Sequence, residues 1–131
     1  MLPSVNELAT LYVLGLATAE QENLLAGETL SVCLTVAGLA AGAGKIQRDD
    51  VRDVAADAAV RAFERIRKWD PARAGWKTYV SFIAKSEVGN QQRRYQRRQL
   101  SLEAAVTAAV VSGLAPSLST REDAQEHHEL E

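Results

Sequence analysis

The feature that most constrains the fold is a stripe of apolar residues in the middle of the chain. Between residues 51 and 66, apolar side chains recur at spacings of three and four: Val51, Val54, Ala55, Ala58, Ala59, Ala62, Phe63 and Ile66. Charged residues occupy most of the positions between them. Such a stripe lies along one side of an α-helix and is buried against other apolar elements. The segment therefore predicts an amphipathic helix that needs partner helices.

The same periodicity predicts three helices before this one. The first covers residues 6–16. The second begins after Thr18, which forms a capping-box pattern with Gln21, and ends near residue 26. The third is mostly apolar, covers residues 29–39 and ends in the glycine-containing segment 40–44.

After the central helix, Pro71 interrupts the helical geometry and a new helix is predicted from Gly75 as its N-cap. Its apolar stripe consists of Trp76, Tyr79, Val80, Ile83 and Ala84. Gly89 lies within the pattern and predicts a bend or a break, because glycine weakens a helix by about 1 kcal/mol. Ser101 is predicted to cap a last helix, which ends near Gly113.

Composition agrees with a helical fold. The chain has 131 residues, of which 47% are apolar but only 5% aromatic, so a core of small side chains is expected. Small side chains favour close-packed helices, and no alternating strand pattern is present. We therefore predict an all-α fold, a compact bundle of four to six helices.

Two features bear on the compartment. The lone Cys33 cannot form an internal disulfide and is predicted to be a small core residue in a reducing, cytoplasmic setting. The N-terminus has no basic segment of the kind that begins a secretory signal. The uncharged run from Leu30 to Gly44 is shorter than the roughly 20 residues that span a bilayer, so a buried helix and no membrane contact are predicted.

A cluster of basic residues follows the apolar stripe of the helix predicted after Gly75. Arg93, Arg94, Arg97 and Arg98 form two i,i+4 pairs of like charge. Such pairs cost a few tenths of a kcal/mol, which indicates an anionic partner. The alternative is a solvated helix end, where the helix dipole favours arginine.

Aromatic residues precede the arginines and favour nucleic acid as the anionic partner. Aromatic rings stack on unpaired bases while guanidinium groups neutralise phosphates. Trp76 and Tyr79 have the spacing of core residues, whereas Phe82 falls off that stripe, and either Phe82 or Tyr79 is expected to keep an accessible ring.

Two carboxylates lie one turn apart on the polar side of the central helix. Asp53 and Asp57 could act in acid–base chemistry or bind a metal, but the sequence supplies no third ligand. Asp57 is also placed to form an i,i+4 ion pair with Arg61. A protein-docking face is the better interpretation. No phosphate-binding glycine loop, nucleophile motif or zinc motif is present, so we expect a non-enzyme without cofactor or metal.

The order of these parts resembles region 2 of bacterial RNA polymerase sigma factors. The resemblance runs from Asp49 to Arg98 and is carried by four motifs in order: Asp53-Val54-Ala55-Ala56-Asp57, Arg61-Ala62-Phe63, Trp69-Asp70-Pro71-Ala72-Arg73 and Trp76-Lys77-Thr78-Tyr79-Val80. It is closest to the short, alternative sigma factors that include the extracytoplasmic-function group. The chain departs from the family pattern at Ala56, where glutamine is usual, at Ala74-Gly75 and at Gly89.

The resemblance implies roles for particular residues. Asp53, Asp57 and Arg61 would dock on the clamp helices of the largest subunit of core RNA polymerase. Promoter DNA would be bound and opened at the minus-ten element by the following residues: Trp76, Lys77, Tyr79, Lys85, Arg93, Arg94, Arg97 and Arg98. An anti-sigma or other regulatory protein is a further candidate partner.

The resemblance also implies a domain organisation. A helical N-terminal extension would cover residues 1–28 and the sigma region 2-like domain residues 29–100. A C-terminal helix or linker would cover 101–114, and an acidic, flexible tail 115–131. The expected protein lacks the second helix-turn-helix domain of sigma factors, which suggests a phage-type or divergent factor in the cytoplasm of a bacterial or phage-infected cell.

A second function remains open. The chain could be a sigma-mimicking interaction module that binds RNA polymerase or another protein without reading DNA. The acidic tail would then cover the basic helix.

Overall fold

The structure is a computed structural model that describes residues 3–113. Its elements are α1 (Val5–Val13), α2 (Ala19–Gly42), α3 (Val51–Glu64) and α4 (Trp76–Val111), with short 3-10 turns at Arg48–Asp50 and Ile66–Lys68. The described residues contain no strand. The predicted all-α fold with four to six helices is confirmed. The chain divides into a first unit, up to Arg93, and a second unit, from Arg94 onward.

Both N-terminal helices begin with a capping box. Ser4 Oγ accepts from the Glu7 amide at 3.2 Å, and the Glu7 carboxylate accepts from the Ser4 amide at 3.1 Å. Thr18 and Gln21 make the same reciprocal pair at 3.1 and 2.9 Å, which confirms the predicted cap. Each box satisfies two amides that the first turn of a helix leaves without partners.

One continuous helix, α2, replaces the two that were predicted between residues 18 and 39. The expected break between residues 26 and 29 is wrong. Leu25, Thr29, Cys33 and Ala37 are buried at intervals of four, so all of them face the core only if the helix runs straight through Gly27. Burying this stripe outweighs the roughly 1 kcal/mol that a glycine costs inside a helix.

Helices α2 and α3 pack closely against each other in the core of the first unit. Small side chains are buried on both helices: Cys33, Ala37 and Ala40 on α2, and Ala55, Ala58 and Ala62 on α3. Small residues allow two helix backbones to approach closely. The stripe predicted for α3 is confirmed as its buried side.

Trp76 occupies the aromatic centre of this core and is completely buried. Its indole Nε1 donates to Thr29 Oγ1 at 2.9 Å, which pairs a polar group that burial would otherwise leave unsatisfied. The rings of Phe63, Trp69 and Tyr79 lie 6.1, 5.4 and 5.7 Å from it between centroids. Tyr12 of α1 extends the cluster by packing 5.4 Å from Phe63.

The first turn of α4 is capped by a residue of α1. Gly75 lies at the predicted N-cap position, and its carbonyl accepts from the Tyr79 amide at 3.0 Å. The side-chain cap comes from Asn6, whose Oδ1 accepts from the Trp76 amide at 2.7 Å across 70 residues of sequence. A Cβ on Gly75 would lie 3.4 Å from the Asn6 amide group, which is an ordinary van der Waals distance, so the two residues are already close neighbours.

α4 continues for 36 residues without interruption. A break at Gly89 and the predicted new cap at Ser101 are therefore wrong. Glycine and serine lower helix propensity but do not terminate a helix in the way that proline does. The helix ends at Val111, close to the predicted end, and Gly113 adopts a φ of +73°. The acidic tail predicted for residues 115–131 lies outside the described residues.

Replacement of Asn6 by alanine should destabilise the first unit by about 1 kcal/mol, the usual cost of losing a helix cap. Urea unfolding followed by circular dichroism would measure the change in free energy of unfolding. Asn23→Ala is the matched control, because Asn23 is exposed in the interior of α2 and alanine is a better helix former. Equal stability of the two variants would contradict the capping role of Asn6.

Burial raises the pKa of the Cys33 thiol to about 11 from 9.0. Above pH 9 the unfolded chain loses this proton while the folded chain keeps it, so the free energy of unfolding should fall as pH rises from 9 to 11. The slope should approach about 1.4 kcal/mol per pH unit. Urea titrations across this range should show the decline in the wild type and a shallower decline in Cys33→Ala. If the free energies of unfolding of the two proteins fell in parallel with pH, the raised pKa of Cys33 would be contradicted.

Candidate nucleic-acid interface and docking face

The side of α3 opposite the core forms an exposed surface, which we call the α3 outer face. It consists of Asp53, Ala56, Asp57, Val60 and Glu64. Val60 is 59% exposed among three carboxylates. An apolar side chain ringed by acids suits a protein partner with a basic, partly apolar surface. The structure thus leaves Asp53 and Asp57, the predicted docking residues, accessible in water.

Arg61 does not pair with Asp57, and that predicted ion pair is wrong. Its Nη1 lies 2.7 Å from Oε1 of Glu87 on α4, whose side chain is only 3% exposed. A carboxylate buried this deeply needs a nearby positive charge, whereas Asp57 is already hydrated. Arg61 therefore ties α3 to α4, and its charge is engaged within the fold.

The Glu87 carboxylate also lies 3.5 Å from Asn90 Nδ2, a long contact, and Arg93 donates to Asn90 Oδ1. The Arg93 guanidinium lies over Gly89, where a Cβ would be 3.6 Å from its Nη1. Glu87 was not among the predicted site residues, although it follows Ile83 by four residues and so continues the buried stripe of α4. An acidic residue at a position of the apolar stripe was the signal in the sequence that could have predicted a buried carboxylate with a charged partner.

Two of the predicted DNA-binding rings are structural. Trp76 is 0% exposed, so it has no face for a base, and its predicted DNA contact must be corrected. Its role is in the core because its indole pairs with Thr29. Tyr79 is half-buried, with its ring against Trp76 and its hydroxyl donating to the Arg65 carbonyl at 3.1 Å.

Phe82 is the ring that the fold leaves in water, as its position off the stripe predicted. It is 67% exposed. Thr78, Lys85 and Ser86 lie one turn away on the same side of α4 and are also exposed. We call these four residues the α4 outer face. A large apolar ring next to a lysine can stack on a base while the ammonium group contacts phosphate.

Lys77 lies beside this surface and is exposed, with its Nζ 3.3 Å from Oε2 of Glu28 on α2. Both side chains are about half exposed, and pairs of this kind contribute little to stability. The ammonium group can therefore exchange Glu28 for another anion at little cost.

The second unit contains three of the four predicted arginines. Arg94, Arg97 and Arg98 are exposed on α4, and their spacing of three and four places them on one side of the helix. Tyr95 is 37% exposed, and its hydroxyl accepts from Gln99 Nε2 at 2.9 Å. These side chains are free to meet an anionic ligand.

The turn between α3 and α4 is fixed by its own side chains. Asp70 Oδ1 accepts from the Ala72 amide at 3.0 Å, which is the hydrogen bond of an Asx turn. Trp69 Nε1 donates to the Ala74 carbonyl at 2.9 Å. The Trp-Asp-Pro motif therefore acts as a rigid connector that positions the start of α4. Within residues 3–113 no group of three or more His, Cys, Asp or Glu side chains is arranged to hold a metal ion.

No protein-family model, curated protein or solved structure matches this chain.

Arg61→Gln should lower the free energy of unfolding by about 1–3 kcal/mol, because it leaves the buried Glu87 carboxylate without its charged partner. Asp57→Asn, one turn away on the same helix, should change it by less than about 0.5 kcal/mol, as exposed substitutions usually do. Chemical unfolding of both variants measures the difference. An unaffected Arg61→Gln would contradict the Arg61–Glu87 pair, and an equal loss of stability in both variants would support the rejected Asp57–Arg61 pair.

Proposed function

We propose that this chain is a sigma-like transcription initiation factor that binds core RNA polymerase and recognises and opens the minus-ten promoter element. The observation that carries the proposal is the exposure of Phe82 beside Lys85, within the segment whose motifs resemble the strand-opening part of sigma region 2. The ring and the ammonium group together supply what single-stranded nucleic acid binds, a stacking surface beside a positive charge.

In this mechanism the α3 outer face docks on the polymerase clamp helices. Asp53 and Asp57 supply charge complementarity, and Val60 supplies apolar contact area. Arg61, which the resemblance places among the docking residues, instead supports the face by holding α3 against α4 through Glu87. Its loss would act on polymerase binding indirectly.

Promoter opening would rest on the α4 outer face. A base that leaves the duplex can stack on the Phe82 ring, and such stacking contributes about 1–3 kcal/mol per base. Lys85 and Lys77 are placed to contact the adjacent phosphates. Trp76 and Tyr79 hold the first turns of α4 in place beneath this surface rather than contacting DNA.

Arg94, Arg97 and Arg98 of the second unit, together with Arg93, would bind phosphates without reading sequence. Phosphate contacts of this kind release counterions, so binding should weaken as salt concentration rises. No catalytic step is proposed for this chain. It would act by binding alone, in the cytoplasm of a bacterial or phage-infected cell, where an anti-sigma protein could compete for the α3 outer face.

A second candidate function is a sigma-mimicking module that binds polymerase or another protein without reading DNA. The observation in its favour is that Asp53, Asp57 and Val60 of the α3 outer face are all exposed. Of the rings predicted to contact bases, Trp76 is buried and Tyr79 is half-buried. The two functions differ in whether the α4 outer face contributes to binding.

Phe82→Ala should weaken binding of a polymerase complex to a promoter fragment with a preformed minus-ten bubble by about 5- to 150-fold, the loss of one stacked base. It should leave capture of core polymerase unchanged, because Phe82 is not on the α3 outer face. Fluorescence anisotropy of the labelled bubble measures the first quantity, and a pull-down with core polymerase measures the second.

Leu16→Ala is the matched control, since Leu16 is 65% exposed and lies outside both outer faces. It should behave as wild type in both assays. Asp53→Asn with Asp57→Asn should reduce capture of polymerase. If polymerase is captured but the bubble is bound equally by wild type and Phe82→Ala, the interaction module is the correct function. If no polymerase is captured by the wild type, the initiation-factor function fails, and the interaction module is left only with another protein as its partner.

A further inference from the structure

Helix α2 exposes a long surface that the proposed function does not use, which we call the α2 outer face. Its members are all exposed and mostly uncharged: Leu24, Gly27, Glu28, Leu30, Ser31, Leu34, Thr35, Gly38, Leu39 and Gly42. Glu28 is its charged member and is paired with Lys77 of α4. Only 28% of the residues in the most apolar window of α2 are buried, and α2 is long and apolar enough, by length and composition alone, to cross a membrane.

The leucines of this face are substantially open to water. Leu24, Leu30 and Leu34 are 43%, 39% and 39% exposed, and Leu39 is 71% exposed. A continuous apolar surface on one side of a helix usually marks an interaction site. The uncharged run predicted from the sequence as wholly buried is thus buried on one side only.

A lipid bilayer is a poor occupant of this face. α2 is packed along its other side against α3, whose outer face carries Asp53, Asp57 and Glu64. Inserting α2 into hydrocarbon would either strip it from α3 and expose Thr29 and Trp76, or carry charged side chains into the membrane. Charged side chains inside a bilayer cost about 2.5 kcal/mol or more each.

A second copy of the same helix fits the face by shape when it runs antiparallel. With a two-fold axis level with Cys33, Leu39 of one copy comes level with Gly27 of the other, and Leu24 comes level with Gly42. The space in front of Gly27, Gly38 and Gly42 is open, since a Cβ there would meet nothing within 4 Å. Leu39 and Leu24 would therefore each enter a gap that a glycine leaves, whereas Leu30 and Leu34 would come level with Val36 and Val32.

Charge at the two ends of α2 also selects the antiparallel arrangement. Glu20 and Glu22 are exposed in its first turn, and Lys45 and Arg48 are exposed just beyond its C-terminal end. An antiparallel pair brings the acids of one copy to the bases of the other at both ends. A parallel pair would instead place like charges and like helix-dipole ends together.

We propose that two copies of this chain associate through the α2 outer face, with their α2 helices antiparallel. The contact runs along a helix of about 36 Å, which is 24 residues at 1.5 Å each. It uses no residue of the α3 or α4 outer faces. The inference is independent of the proposed function, because it requires neither polymerase nor DNA.

Sedimentation velocity of the full chain over a concentration series tests the proposal. The wild type should pass from monomer to dimer as concentration rises. Leu39→Glu should raise the dimer dissociation constant by at least about tenfold, because the dimer would bury an unpaired carboxylate twice. Leu100→Glu is the matched control, because Leu100 is a leucine of α4 that is 65% exposed and lies outside the three outer faces, and it should dimerise as the wild type does.

Charge reversal tests the antiparallel register. Glu20→Lys with Glu22→Lys should weaken self-association, and so should Lys45→Glu with Arg48→Glu. Mixing these two variants should restore dimers, because opposite charges then meet at both ends. Circular dichroism checks that each variant remains folded.

Several outcomes would overturn the proposal: a wild type that stays monomeric at every concentration, a dimer that Leu39→Glu leaves intact, or charge variants that do not complement each other. Flotation of the monomeric wild type with vesicles of phosphatidylcholine and phosphatidylglycerol would assign the face to lipid instead.

Discussion

The hydrogen bond from the Trp76 indole to Thr29 joins the beginning of α4 to the middle of α2 inside the core. Because both partners are buried, breaking this contact would leave an unpaired indole N–H or hydroxyl, at a cost of about 1–3 kcal/mol. The aromatic rings around Trp76 and the Asn6 cap on its amide depend on the same placement. The orientation of α4, and with it the direction in which Phe82 points, follows from where Trp76 is held.

The helical class and the buried side of α3 were predictable from sequence, because spacing of three and four reports directly on one helix face. Helix ends were predictable where a local side-chain pattern decides them, as at Thr18 and Gln21. The continuity of α2 and α4 was not. Gly27, Gly89 and Ser101 are weak local signals, and the buried stripe of α2 and the tertiary contacts of Trp76 outweigh them.

The candidate surfaces were predictable in part, again because spacing of three and four shows which residues share one side of a helix. The exposure of Asp53, Asp57 and Phe82 follows from their phase relative to an apolar stripe, which a sequence shows. The partner of Arg61 could not be found this way, because Glu87 is 26 positions away in sequence and local spacing offered Asp57 instead. The burial of Trp76 depended equally on a distant residue, Thr29. Interactions between elements decide which charged and aromatic side chains remain available for a ligand.

The cap that Asn6 places on α4 has a consequence for biosynthesis. Asn6 and Thr29 leave the ribosome long before Trp76, which both of them bind. Until then the apolar stripe of α2 lacks its aromatic cover, and the first unit cannot close. Nascent chains that stall before the Trp-Asp-Pro turn should therefore be held by chaperones, whereas chains extended through Val88 can complete the core.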